Sequence, residues 1–138
     1  MINTRAGSRQ IDTFLFKVVL NVTVARSYSS LHLIFSTKNR ESCFADPASR
    51  RDLHAYLAAT ANNLGCPAIC VGGVADHVHV VCSLGRTLSV ATFVAKLKVS
   101  SNQAVRARLT NFAWQNGYAV FSVAESTLEA VKIGRAHV

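Results

Sequence analysis

The residues best suited to chemistry stand together in Asp76-His77-Val78-His79-Val80-Val81. In an extended strand, side chains two residues apart leave the same face. His77 and His79 would then project side by side, while Val78 and Val80 turn to the opposite face and anchor the strand. Two neighbouring imidazoles offer ring nitrogens to a divalent metal. A plain pair of surface histidines on a half-exposed strand has the same spacing, and an isolated His-x-His motif by itself favours that plainer reading. Cys66 and Cys70 precede the pair, so a structural zinc site of Cys66, Cys70, His77 and His79 is a third option. Such zinc sites usually carry closer cysteine pairs and wider histidine spacing.

The surroundings of this motif narrow its chemistry. The chain has 138 residues, half of them apolar, and a net charge of +8. That length suits a single domain able to bury a core without disulfides, and the composition is not that of a disordered chain. The cysteines Cys43, Cys66, Cys70 and Cys82 are not spaced as a disulfide framework and read as free thiols of a cytoplasmic protein. No apolar run is long enough to span a bilayer, so no membrane role is expected. A basic surplus favours an anionic partner, most commonly nucleic acid. The candidate phosphate contacts are Lys38 and Arg40, then Lys96 and Lys98, with Arg106 and Arg108 on the same helix but spread around its axis. Phe112 and Trp114 could stack on bases, although a core role is more common for such residues.

These residues need elements to position them. Leu31, Leu33 and Phe35 alternate with Ser30, His32, Ile34 and Ser36, which predicts a strand over residues 30–37. Asp46 and Pro47 form a helix start. Leu53, Tyr56, Leu57, Ala61 and Leu64 then share one helical face, with Gly65 as the stop. His54 reads as a surface residue of that helix. Strands are predicted over 67–74 and 77–82, joined as a hairpin, with Gly72-Gly73 bending or ending the first. Thr87 or Ser89 opens a second helix with Val90, Phe93, Val94, Leu97, Ala104 and Val105 as its apolar face, running to about residue 109. Asn116-Gly117 leads into a fourth strand over 118–123, and Ser126 opens a last helix. The order β-α-β-β-α-β predicts an α+β, ferredoxin-like fold: an antiparallel sheet with helices on one face and the other face open. Fold alone does not choose a function.

In that order and on a basic domain, His-hydrophobe-His resembles the HUH motif of the REP-associated and related insertion-sequence transposases that use a single tyrosine. The matching pieces are Ser30-Leu31-His32-Leu33-Ile34-Phe35-Ser36-Thr37-Lys38-Asn39-Arg40, Gly72-Gly73-Val74-Ala75-Asp76-His77-Val78-His79, residues 88–98, and Trp114-Gln115-Asn116-Gly117-Tyr118 with Phe121-Ser122-Val123. Each piece is modestly specific; their order and spacing over residues 28–132 carry the resemblance. It implies that His77 and His79 hold Mg2+ or Mn2+ against a scissile phosphate in hairpin or single-stranded DNA. It also implies that a tyrosine attacks to give a 5′-phosphotyrosine and that the protein works as a homodimer. Tyrosine, with a pKa of about 10, is a weak nucleophile at neutral pH, so metal and positioning must activate it. A non-enzymatic RNA- or single-strand-binding module of the same topology would instead carry stacking aromatics on its central strands. His32, on the strand expected beside the metal strand, reads as a satisfied sheet histidine.

The resemblance places the nucleophile just past Glu129-Ala130-Val131-Lys132, where this sequence reads Ile133-Gly134-Arg135-Ala136-His137-Val138. No tyrosine follows Tyr118, and Tyr28, Tyr56 and Tyr118 have other expected roles. The expectation is that the chain lacks its nucleophile and does not nick DNA. Residues 132–138 resemble a translated sequencing adapter, and residues 1–24 read as an extension before a GTG start at Val24, which leaves 25–131 as the domain.

Overall fold

The computed structural model describes residues 30–85 and 87–123. The expected last helix, the extension 1–24, the tail 132–138 and Tyr28 lie outside those residues. Within them the order is β1 (Ser30–Ser36), a short 3-10 turn (Lys38–Arg40), α1 (Pro47–Asn63), β2 (Ala68–Gly73), β3 (His77–Ser83), α2 (Val90–Arg106) and β4 (Ala119–Ser122). The strands form one four-stranded sheet in the order β2-β3-β1-β4, antiparallel at every pairing. This is the expected α+β arrangement, with each helix joining two consecutive strands that are not neighbours in the sheet.

Local chemistry accounts for the boundaries. Asp46 caps α1 by accepting a hydrogen bond from the Ser49 amide, and Pro47 occupies the first turn, where its missing N–H removes nothing. Gly65 ends the helix at φ +78°, a conformation that disfavours any side chain with a Cβ. Ser89 caps α2 through the Thr92 amide. That helix stops at Arg106, short of the expected 109; Arg106 Nε donates to the Phe112 carbonyl as the chain turns away.

The core lies between the helices and one sheet face. Leu33 and Phe35 of β1 and Val78, Val80 and Cys82 of β3 pack against Leu53, Leu57 and Ala61 of α1 and Phe93, Val94 and Leu97 of α2. Phe44, Phe112 and Trp114 close its end: the Phe35 and Trp114 rings lie 4.8 Å apart edge to face, and Phe112 and Trp114 5.0 Å apart. Phe112 and Trp114 thus take the core role expected to be the commoner one. The Trp114 indole N–H donates to Ser101 Oγ at 2.9 Å, which satisfies a buried donor that would otherwise be costly. Tyr56 departs from expectation. It is 38% exposed and its hydroxyl bonds Ser100, so it ties α1 to α2 at the surface rather than filling the core. His54 departs in the opposite sense: it is half-buried, and its Nε2 is enclosed without a hydrogen-bond partner.

Candidate metal centre

Alternation along β1 and β3 decides what meets on the second sheet face. The register pairs His32 with Val81, Ile34 with His79 and Ser36 with His77. With Val78, Val80, Leu33 and Phe35 committed to the helices, His77, His79 and His32 must share the opposite face. The His77 and His79 rings stand 5.1 Å apart, and the His79 and His32 rings 5.2 Å apart. Phe121 of β4 borders His32 at 6.4 Å. The face was expected to be open; instead His32, His77, His79 and Val81 are all at most 2% exposed and Ile34 7%. Buried imidazoles need partners to offset lost hydration, and these have them. His77 Nδ1 lies 2.9 Å from Asp76 Oδ1, and His79 Nδ1 lies 2.9 Å from His32 Nε2.

Asp76 is fully buried and held from its other side by Arg40, whose Nε and Nη2 donate to the two carboxyl oxygens at 3.2 and 3.4 Å. Burial opposes ionisation of Asp76, but hydrogen bonds from His77 and Arg40, together with the Arg40 charge, outweigh it and hold the carboxyl below its usual range. The backbone supports the same corner. Thr37 N and Oγ1 both reach the Asp76 carbonyl, and Asn39 and Arg40 take left-handed φ values of 57° and 55°, which turn the Arg40 side chain back towards β3. Gly73 stands at φ +151°, where a Cβ would fall inside contact distance of the His77 carbonyl oxygen and 2.9 Å from Val78 Cα. Glycine here lets the hairpin close tightly enough to seat His77.

The structure therefore gathers His77, His79, His32, Asp76 and Arg40. The other candidates lie elsewhere. Lys38 is exposed beside this corner, whereas Lys96 is exposed on α2, in the layer behind the sheet. Lys98 Nζ donates to the Gln115 and Gly117 carbonyls at 2.8 and 2.7 Å and sits 5.5 Å above the Phe35 ring, with its pKa lowered by burial. It clamps the turn before β4. Arg108 pairs with Asp52 at 3.5 Å on the helix side. The four-ligand zinc alternative is ruled out by sidedness: Cys66 is in the helix-side core and its sulfur accepts from the Gly85 amide, while the histidines occupy the far face. Among the described residues no cluster of three or more His, Cys, Asp or Glu is placed to hold a metal. Tyr56 is committed to α2, and Tyr118 is 40% exposed at the turn before β4; neither has a described contact with the histidines. No described helix is long and apolar enough to cross a membrane.

Residues 25–133 match the family model described as IS200-like transposase. No curated protein matches the chain. Among solved structures, a candidate transposase from Deinococcus radiodurans R1 superposes with a TM-score of 0.65 at 21% identity, over 80% of this chain and 91% of its own. A REP-associated tyrosine transposase bound to a REP hairpin superposes with a TM-score of 0.54 at 16% identity, over 84% of this chain and 67% of its own. At those identities the two structures speak for the fold, and the family match, which spans most of the sequence, speaks for ancestry. The chain belongs to the IS200-like transposase family.

Proposed function

We propose that this chain binds hairpin or single-stranded DNA and presents a phosphate of the strand to a divalent metal, Mg2+ or Mn2+, on His77 and His79. The observation that carries this reading is the histidine pair itself: two imidazoles on one strand face, each engaged through Nδ1 by a buried neighbour. Such a donor set fits a metal that keeps open positions for substrate oxygens. A bound ion would supply Lewis acidity to the scissile phosphate. The chain's own residues do the rest. β3 holds the two rings at a fixed separation, and Lys38 beside the site offers a charge to the DNA backbone. In the full reaction of this family type, strand cleavage passes through a 5′-phosphotyrosine, and rejoining reverses it. A homodimer acting in the cytoplasm completes the reading.

The family match, the fold shared with a hairpin-bound transposase and the net charge of +8 support a DNA partner. The test is anisotropy with a labelled hairpin carrying a single-stranded flank, in Mn2+ and in chelator, against a blunt duplex of equal length. Tighter binding of the flanked hairpin, weakened by chelator and by His77→Ala with His79→Ala, is expected. Equal binding of hairpin and duplex, indifferent to metal and to both substitutions, would overturn the proposal.

A further inference from the structure

His32, Asp76 and Arg40 contribute nothing to the strand's hydrophobic anchoring, yet all three converge on the histidine pair. We propose that His32 and Asp76 are positioning residues that lock His79 and His77 in the tautomer presenting Nε2 to a metal, with Arg40 holding Asp76 in place. This rests on the metal-binding reading above and adds a role for residues outside the ligand pair.

A neutral imidazole carries one proton, on one of two nitrogens, and only the unprotonated nitrogen can ligate. At His77 the choice is made by Asp76. Its carboxylate, 2.9 Å from Nδ1, accepts only if Nδ1 carries the proton, so this ring would ligate a metal through Nε2. The Arg40 guanidinium, bonded to both oxygens of the same carboxylate, keeps that acceptor aimed. At His79 the partner is another imidazole, 2.9 Å away, and two proton arrangements satisfy the contact. If His79 ligates through Nε2, only one of them remains: His79 Nδ1–H donates and His32 Nε2 accepts. His32 reaches this position because the register sets it opposite Val81, two residues from His79 on the same face. Its ring also packs beside Phe121 of β4, so the strand on the far side of β1 helps to fix a ligand on β3. Arg40 accordingly acts through Asp76, a role distinct from the phosphate contact expected of it.

The test measures affinity for Mn2+ alone, without DNA, by electron paramagnetic resonance titration of the whole chain and of His32→Met, His32→Gln and Arg40→Gln. Thermal melting of each variant checks that it folds. Removing the hydrogen-bond partner of a metal-bound histidine typically costs about 10- to 100-fold in metal affinity, and that loss is expected for His32→Met. His32→Gln, whose amide oxygen still accepts from Nδ1–H, is expected to restore most of it. Arg40→Gln is expected to weaken Mn2+ binding in the absence of DNA, which loss of a phosphate contact would not do. The positioning role is overturned if His77→Ala abolishes Mn2+ binding while folded His32→Met and Arg40→Gln bind like the parent. It is also overturned if His32→Gln is as weak as His32→Met. If the parent chain binds no Mn2+ at all, the metal-binding reading falls and the positioning role falls with it.

Discussion

Replacing His54 with leucine should remove one component of the fold's acid sensitivity. His54 sits on α1 with its Nε2 enclosed and unpartnered. Burial first, then the neighbouring charges of Arg50 and His79, pushes its pKa down from 6.5 to about 4. The folded state therefore takes up this proton later than the unfolded chain does. Between those values the unfolded state binds more protons, so stability present above pH 6.5 is lost as pH falls towards 4. Working the linkage with 6.5 and about 4 gives a loss of about 2 kcal/mol between pH 7.5 and pH 5 from this one group. Leucine cannot titrate, so the variant should lack that component while other histidines continue to contribute their own. The assay is urea unfolding at pH 7.5, 6 and 5, followed by fluorescence of the single tryptophan, which lies in the core. Parallel stability-versus-pH curves for the parent and His54→Leu would refute the reasoning, whatever their vertical offset.

Other substitutions separate support of the fold from service to the site. Gly73→Ala forces a Cβ against the His77 carbonyl at a strained φ and should destabilise by about 2 kcal/mol or more, with Mn2+ affinity falling in the protein that remains folded; denaturant titration and metal titration read the two effects. Ser101→Ala leaves the Trp114 indole N–H without its acceptor and should cost about 1 to 3 kcal/mol in urea unfolding. Lys98→Met breaks two bonds to the turn before β4 and should cost about 1 to 2 kcal/mol of stability, whereas exposed Lys38→Met should leave melting unchanged and reduce the salt slope of hairpin binding by about one.

The strands and both described helices were legible because each advertises its period: Val78 and Val80 alternate with the histidines, and Leu53, Leu57 and Ala61 recur at helical spacing. The caps were legible for the same local reason, since Asp46-Pro47 and Gly65 act within one turn. What the sequence hid depends on register and tertiary packing. His32 reads as an ordinary strand histidine until β1 is aligned so that it and His79 share a face. Arg40 reads as a basic loop residue because the left-handed turn that swings it onto Asp76 has no glycine to announce it. Nothing local shows that the histidine face is buried rather than open, that Tyr56 belongs to a helix-helix contact, or that His54 is enclosed. Charge counting could not tell that Lys98 is spent on two carbonyls while Lys38 stays in solvent.

Iron-directed cleavage tests the central claim most directly, because it needs a metal on the histidines and DNA against that metal but no nucleophile. The protein is loaded with Fe2+, bound to an end-labelled hairpin with a single-stranded flank, and treated with ascorbate and peroxide. Cuts confined to a few adjacent nucleotides are expected, and they should be lost in the His77→Ala, His79→Ala variant. Uniform cutting along a bound hairpin, or the same local pattern without the two histidines, would contradict it.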